Sequence, residues 1–161
     1  MTPRPFKALL AIFVLLANVG AVHANGLLMV RVPMKADLAM EYLRTAITGH
    51  GYRIAHIQKC DSGMSGFGYK TGFYKVIFFG KLDEIRRISA EHPSFSAYLP
   101  LKVSIVAERD ETVLTIVNPL NFRPFFGQDR RMRLQLDRWR NDAQSIFDEL
   151  LRVSRQLGGR A

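Results

Sequence analysis

The side chains best equipped for chemistry stand at intervals of four: His56, Cys60 and Met64. Imidazole, thiolate and thioether are soft donors that suit Cu(I), and cysteine or histidine with methionine can hold haem iron axially. Cys60 with His56 would equally make a nucleophile and its base. In an extended chain, residues four apart share a face, so His56 and Cys60 are expected to project together if the strand runs that far. Asp61, Ser62 and Gly63 read as a turn, which leaves the direction of Met64 open. Met29, Met34 and Met40 are further thioethers that folding could bring near. The competing readings are a structural cysteine, a metal or haem ligand, and a reactive or intermolecularly bonded thiol. Covalent haem is excluded, because no Cys-x-x-Cys-His occurs.

Beside this trio, "GFGYKTGFYK" interleaves Phe67, Tyr69, Phe73 and Tyr74 with Lys70 and Lys75. Glycines next to rings let a ligand approach the backbone and stack. A pocket between sheet and segment, edged by Cys60, His56, Tyr69 and Tyr74, is the expected ligand site, with haem or copper as its cofactor. The bland alternative is a hairpin whose rings fill the core. A second cluster is the loop Asn121–Phe126, where Phe122, Phe125 and Phe126 flank Arg123. Exposed, these rings would mark an interaction surface; tucked beneath a helix, they would be core. No Ser-His-Asp set, carboxylate pair or phosphate loop stands out, and His50 and His92 fall at helix ends. The expected role is therefore non-enzymatic, with a thiol-dependent activity as the remote alternative.

The elements that must position these groups follow from periodicity. Strands are expected at 27–34, 52–59, 73–80 and 101–108, with 112–118 returning as a hairpin. Residues 60–72 read as a turn with an irregular strand. Helices are expected at 37–50 and 81–89, the latter opening on Asp83 and Glu84, which suit its dipole. A long helix over 128–157 carries Met132, Leu136, Trp139, Ala143, Ile146, Leu150, Val153 and Leu157 at alternating steps of four and three. Phe147 and Leu151 widen that seam into a face suited to lying on a sheet. The fold class is α+β, an antiparallel sheet of five to six strands covered on one face by helices.

Residues 1–24 read as a secretory signal peptide: Arg4 and Lys7, the apolar run "ALLAIFVLLANVGAV", then Val22 and Ala24 at the cleavage positions. A single domain would then fill 25–161, and export to the periplasm follows. The formal charge of +9 falls to +7 without Arg4 and Lys7. Export argues against nucleic acid and points instead to an anionic surface or an envelope protein. A single cysteine gives no internal disulfide, and nothing after the leader is apolar enough to span a bilayer.

The run "YKVIFFGKLDEIRRISAEHPSFSAYLPLKVSIVAERDETVLTIVNP" resembles the domain-of-unknown-function 302 family over about residues 28–120. The carrying elements are Phe79-Gly80, the helix from Leu82, Leu99 to Val103, the acid-rich turn Glu108 to Thr112, and Asn118-Pro119. "GYRIAHI" fits the family's second strand. The resemblance implies a TATA-binding-protein-like α+β arrangement, often homodimeric, and no particular reaction. Many members carry an alanine-rich, helix-forming segment where this chain has "KCDSGMSGFGYKTGF", so no role for Cys60 follows from the family. Two functions result: an exported domain binding a small ligand near Cys60 and His56, or a homodimeric envelope interaction protein using the Phe122–Phe126 loop and the terminal helix.

Overall fold

The computed structural model describes residues 26–69 and 72–158; the leader expected at 1–24 and Lys70 lie outside them. Five strands, β1 (Leu27–Val32), β2 (Arg53–Lys59), β3 (Tyr74–Gly80), β4 (Leu101–Glu108) and β5 (Glu111–Val117), form one sheet in the order β1-β5-β4-β3-β2. Every pairing is antiparallel. The α+β sheet covered by helices is as expected from the sequence, and the central strand β4 opens on the last three residues of the Leu-Pro-Leu-Lys-Val motif, Leu101 to Val103.

Helix α1 (Ala36–Gly49) buries Ala39, Leu43, Ala46 and Ile47, which recur at helical spacing. The terminal helix, Arg130–Gly158, lies on the same side of the sheet and packs against α1 and β1. Its seam residues Met132, Leu136, Trp139, Ala143, Ile146 and Leu150 are all at most 5% exposed. Burial at roughly 1.5–3 kcal/mol per large side chain makes this helix the main closure of the core. The heptad seam is thereby consumed by the chain's own sheet over 132–150, leaving Val153 and Leu157 half-buried beyond it.

Alternation along the strands fixes two faces. Ile77, Phe79, Val103, Ile105, Leu114, Ile116, Val30 and Val32 point to the helices and are buried. Where α1, the sheet and the terminal helix meet, the residual void is only ≈ 10 Å³. At the end of β3, a Cβ on Gly80 would stand 2.5 Å from Cδ1 of Ile85, so a side chain there would have to push the tip of Ile85 aside.

Two local expectations are corrected. Residues 60–65 are not a turn but a short helix, α2 (Cys60–Ser65). Asp61 at its first turn supports it, accepting from the Ser62 amide at 2.8 Å. The loop after β5 is likewise ordered, as a 3-10 turn (Pro119–Phe122) and one helical turn, α4 (Arg123–Phe126), before the terminal helix, α5. Asn118 caps the 3-10 turn, its side chain accepting from the Leu120 amide at 3.1 Å. Between β3 and β4 stand helix α3 (Leu82–Glu91) and a 3-10 turn (Pro93–Tyr98).

Candidate functional site

Helix α2 changes how the soft side chains relate. His56 still lies on a strand, but the strand ends at Lys59, so Cys60 no longer shares its face. A bulge between Ile54 and His56 sets His56 opposite Phe78, on the side of the sheet away from the helices. Its ring meets Phe78 at 6.0 Å, and Nε2 lies 3.3 Å from Oε1 of Gln58. Cys60 and Met64 instead stand at i and i+4 of one helix, the spacing that makes neighbours; both are half-buried. The helix thus replaces the expected pair His56–Cys60 by Cys60–Met64.

The remaining donors disperse. Met34 is buried in the core, Met40 packs beside it, and Met29 is 55% exposed on the outer sheet face. Among the described residues, no three His, Cys, Asp or Glu side chains converge as a metal set. Partial burial, then the Asp61 carboxylate, pushes the Cys60 thiol above its usual range, the opposite of what an activated nucleophile needs. Tyr69 is 65% and Phe67 89% exposed. Tyr74 lies on β3 opposite Val106, while Phe73 turns to the core.

The aromatic groups gather elsewhere. His92 ends α3, and the 3-10 turn that follows presents Phe95 and Tyr98. Phe95 is the hub: its ring lies 5.4 Å from Tyr98, 5.1 Å from Phe122 and 5.0 Å from Phe126. His92 meets Phe126 edge-on at 5.0 Å, and its Nε2 lies 3.0 Å from Oδ2 of Asp129. Asp129 accepts from the Met132 amide at 3.0 Å at the start of α5. That backbone bond draws the Asp129 carboxyl below its ordinary range; loss of solvent opposes it, and the His92 ring adds to the lowering. Arg123 reaches back to Asp137, tying α4 to α5. The expectation for the Phe122–Phe126 loop is divided by the fold: Phe122 and Phe126 pack on the core, and Phe125 is 74% exposed.

These rings wall a cleft of ≈ 80 Å³ at one end of the sheet, lined by Phe95, Tyr98, Leu101, Ile116, Phe122 and Trp139 among others. Tyr98 and Val117, each 49% exposed, stand at its rim, and the Lys102 side chain borders it. The lining comes from three separate stretches of the chain, 95–102, 116–122 and Trp139 of α5, which no local motif announces. The wall toward α5 is held by a polar lattice. The Glu84 carboxylate accepts from Trp139 Nε1 at 2.9 Å, Gln135 Nε2 at 3.0 Å and Arg138 at 2.7 Å. Arg87 donates to Oε1 of Gln135 at 2.9 Å. Further along α5, the Tyr52 hydroxyl donates to Asp142 at 2.5 Å; burial, then that bond, raises its pKa strongly, so it stays protonated. Sequence reasoning missed this lattice. Its one signal is Gln135, a polar residue 3% exposed between the apolar positions Met132 and Leu136.

Similarity to known proteins adds the fold's relatives. No curated protein is significantly similar to this chain. A crystal structure of an uncharacterized conserved DUF302 protein from Bacillus stearothermophilus superposes with a TM-score of 0.68 at 14% identity. The match covers 77% of this chain and 97% of that one, so the two share the fold. The model of the domain of unknown function DUF302 matches residues 28–150, beyond the expected 28–120 and through the buried seam of α5. Sheet, motif and covering helix thus fall within one match, and the chain belongs to the DUF302 family.

Proposed function

We propose that this chain is a non-enzymatic, exported interaction domain that receives an apolar side chain of an envelope partner in the cleft beside Phe95 and Trp139. The observation that carries the reading is the size and lining of that cleft. At ≈ 80 Å³ it holds one side chain, far below the roughly 300–1,000 Å³ of metabolite pockets. Its walls are aromatic and aliphatic, the composition of an anchor site for an interface hot spot. Phe125, exposed beside it, offers the partner a ring in return. Among the described residues, no helix is long and apolar enough to cross a membrane, in keeping with a domain that acts at the surface of its partner.

Trp139, the chain's single tryptophan, lines the cleft and reports on it. Toluene, standing in for a phenylalanine side chain, is expected to shift Trp139 fluorescence saturably. Val117→Trp at the rim blocks entry, with the response then read by methyl NMR instead of fluorescence. A wild-type protein silent to toluene, or a blocked variant that still binds it, overturns the reading. Export is tested separately by N-terminal sequencing of the periplasmic protein, which should begin near Asn25.

A second reading rests on the i, i+4 placement of Cys60 and Met64 in α2, a pair of soft donors for Cu(I). His56 does not fit the set, being engaged with Phe78 and Gln58. Cu(I) competition against a chelator, with Cys60→Ser and Met64→Leu, decides it: equal copper uptake by all three proteins removes the site.

A further inference from the structure

Charge is distributed unevenly along the longest helix. Residues 130–140 of α5 carry Arg130, Arg131, Arg133, Arg138 and Arg140 against Asp137 alone. Residues 141–158 carry Asp142, Asp148 and Glu149 against Arg152 and Arg155. Helix stability argues against this pattern. Acids suit the first turn of a helix, and α1 and α3 place Asp37, Asp83 and Glu84 there. The first turn of α5 has no acid, and its arginines are offset by Asp129, which accepts from the Met132 amide at the helix start. Internal pairing takes up part of the excess: Arg138 meets Glu84 at 2.7 Å, Arg131 meets Glu91 at 2.9 Å, and Arg123 meets Asp137. Arg131 and Arg138 still keep 68% and 50% of their side chains exposed. Arg130, Arg133 and Arg140 enter no ion pair among the described residues.

In the middle of these arginines stands Leu134, 59% exposed. It lies two residues from both Met132 and Leu136, and so on the side of the helix opposite the buried seam. Its neighbours three and four residues away are Arg130, Arg131, Asp137 and Arg138. With Arg87, Arg131 and Arg138 it also lines the open groove between α3 and α5. We infer that this face of α5 docks the domain on a membrane rich in anionic lipid. Leu134 enters the headgroup layer, and the guanidiniums around it take lipid phosphates.

Two features select this partner. Every basic residue of 123–140 is arginine, with no lysine among them, and the planar guanidinium binds phosphate through two parallel hydrogen bonds. Arginines alone would fit any polyanion. A leucine ringed by arginines fits one whose charged layer covers an apolar layer, as in a bilayer. Each arginine held near an anionic leaflet strengthens attachment about fivefold, and salt weakens that attraction. Arg130, Arg131 and Leu134 do not line the aromatic cleft, so membrane docking and the proposed function can fail separately.

Co-sedimentation of the purified protein with lipid vesicles at physiological salt tests the inference. Vesicles of phosphatidylglycerol and phosphatidylcholine in equal parts should carry the wild type down, and phosphatidylcholine alone should not. Arg130→Glu, which changes the face by two charge units, should weaken binding about 25-fold. Leu134→Ser should weaken it about tenfold. Both positions are exposed, so the circular dichroism spectrum should stay unchanged. Arg155→Glu makes the same reversal at an exposed position about 30 Å further along α5 and should bind like the wild type. A wild type that stays in solution overturns the proposal, even if heparin retains it, because the face then serves a polyanion without an apolar layer. Arg130→Glu or Leu134→Ser binding as tightly as the wild type overturns it equally. So does Arg155→Glu weakening binding as much as Arg130→Glu, which would assign attachment to net charge alone.

Discussion

Two regions of the molecule reverse the roles their sequences assign them. Residues 56–74 collect the soft and aromatic side chains within a short run, yet the fold disperses them: His56 to the outer sheet face, Cys60 and Met64 to α2, Tyr69 to solvent. The aromatic end collects Phe95, Leu101, Phe122 and Trp139 from distant segments and makes a walled cleft of them. Closeness along a chain makes neighbours only through a helix turn or a strand alternation. Closeness through sheet register and helix packing makes enclosed sites, and these hide in the sequence.

Removing the hub should show the contrast most strongly. Phe95→Ala deletes a buried ring touching three others and should destabilise the fold by about 3–5 kcal/mol in urea denaturation. A loss under about 1 kcal/mol would mean that the aromatic end is loosely packed and the cleft not a built site.

The lattice behind the cleft comes next. Glu84→Leu strips Trp139, Gln135 and Arg138 of a shared acceptor and should cost about 1–3 kcal/mol, because buried donors are left unmet. Trp139 fluorescence should change with it; an unchanged spectrum would separate the lattice from the cleft.

Acid weakens the same region with a definite sign. The folded Asp129 carboxyl lies below its ordinary value of 3.8, so its stabilising contribution is present above that value and fades as pH falls through the lower, folded one. Asp129→Asn should therefore be less stable than wild type at neutral pH, and the gap should close in strong acid. A gap that persists at low pH would assign the effect to something other than the carboxylate.

The smallest effect belongs to the other region. Cys60→Ser should change stability by no more than about 0.5 kcal/mol. With its pKa raised, the Cys60 thiol should alkylate more slowly than a free cysteine at neutral pH. Fast alkylation would restore the reactive-thiol reading and sharpen interest in α2.

The sheet, its hairpin, α1, α3 and the seam of α5 were legible because alternation and helical spacing state them directly, as Leu101 to Ala107 and Met132 to Leu150 do. α2 was not. Asp61, Ser62 and Gly63 favour turns in isolation, and context made six residues a helix instead. The cleft was half legible: the Phe122–Phe126 loop drew attention, but its partners Phe95, Leu101 and Trp139 join it only through β4 register and the docking of α5.

The most direct measurement is methyl NMR of the protein titrated with toluene. The account predicts saturable shifts at Leu101, Ile116 and Val117, around the cleft, with Met64 and the rest of α2 unmoved. Shifts centred on Met64, or none at the cleft, would contradict it.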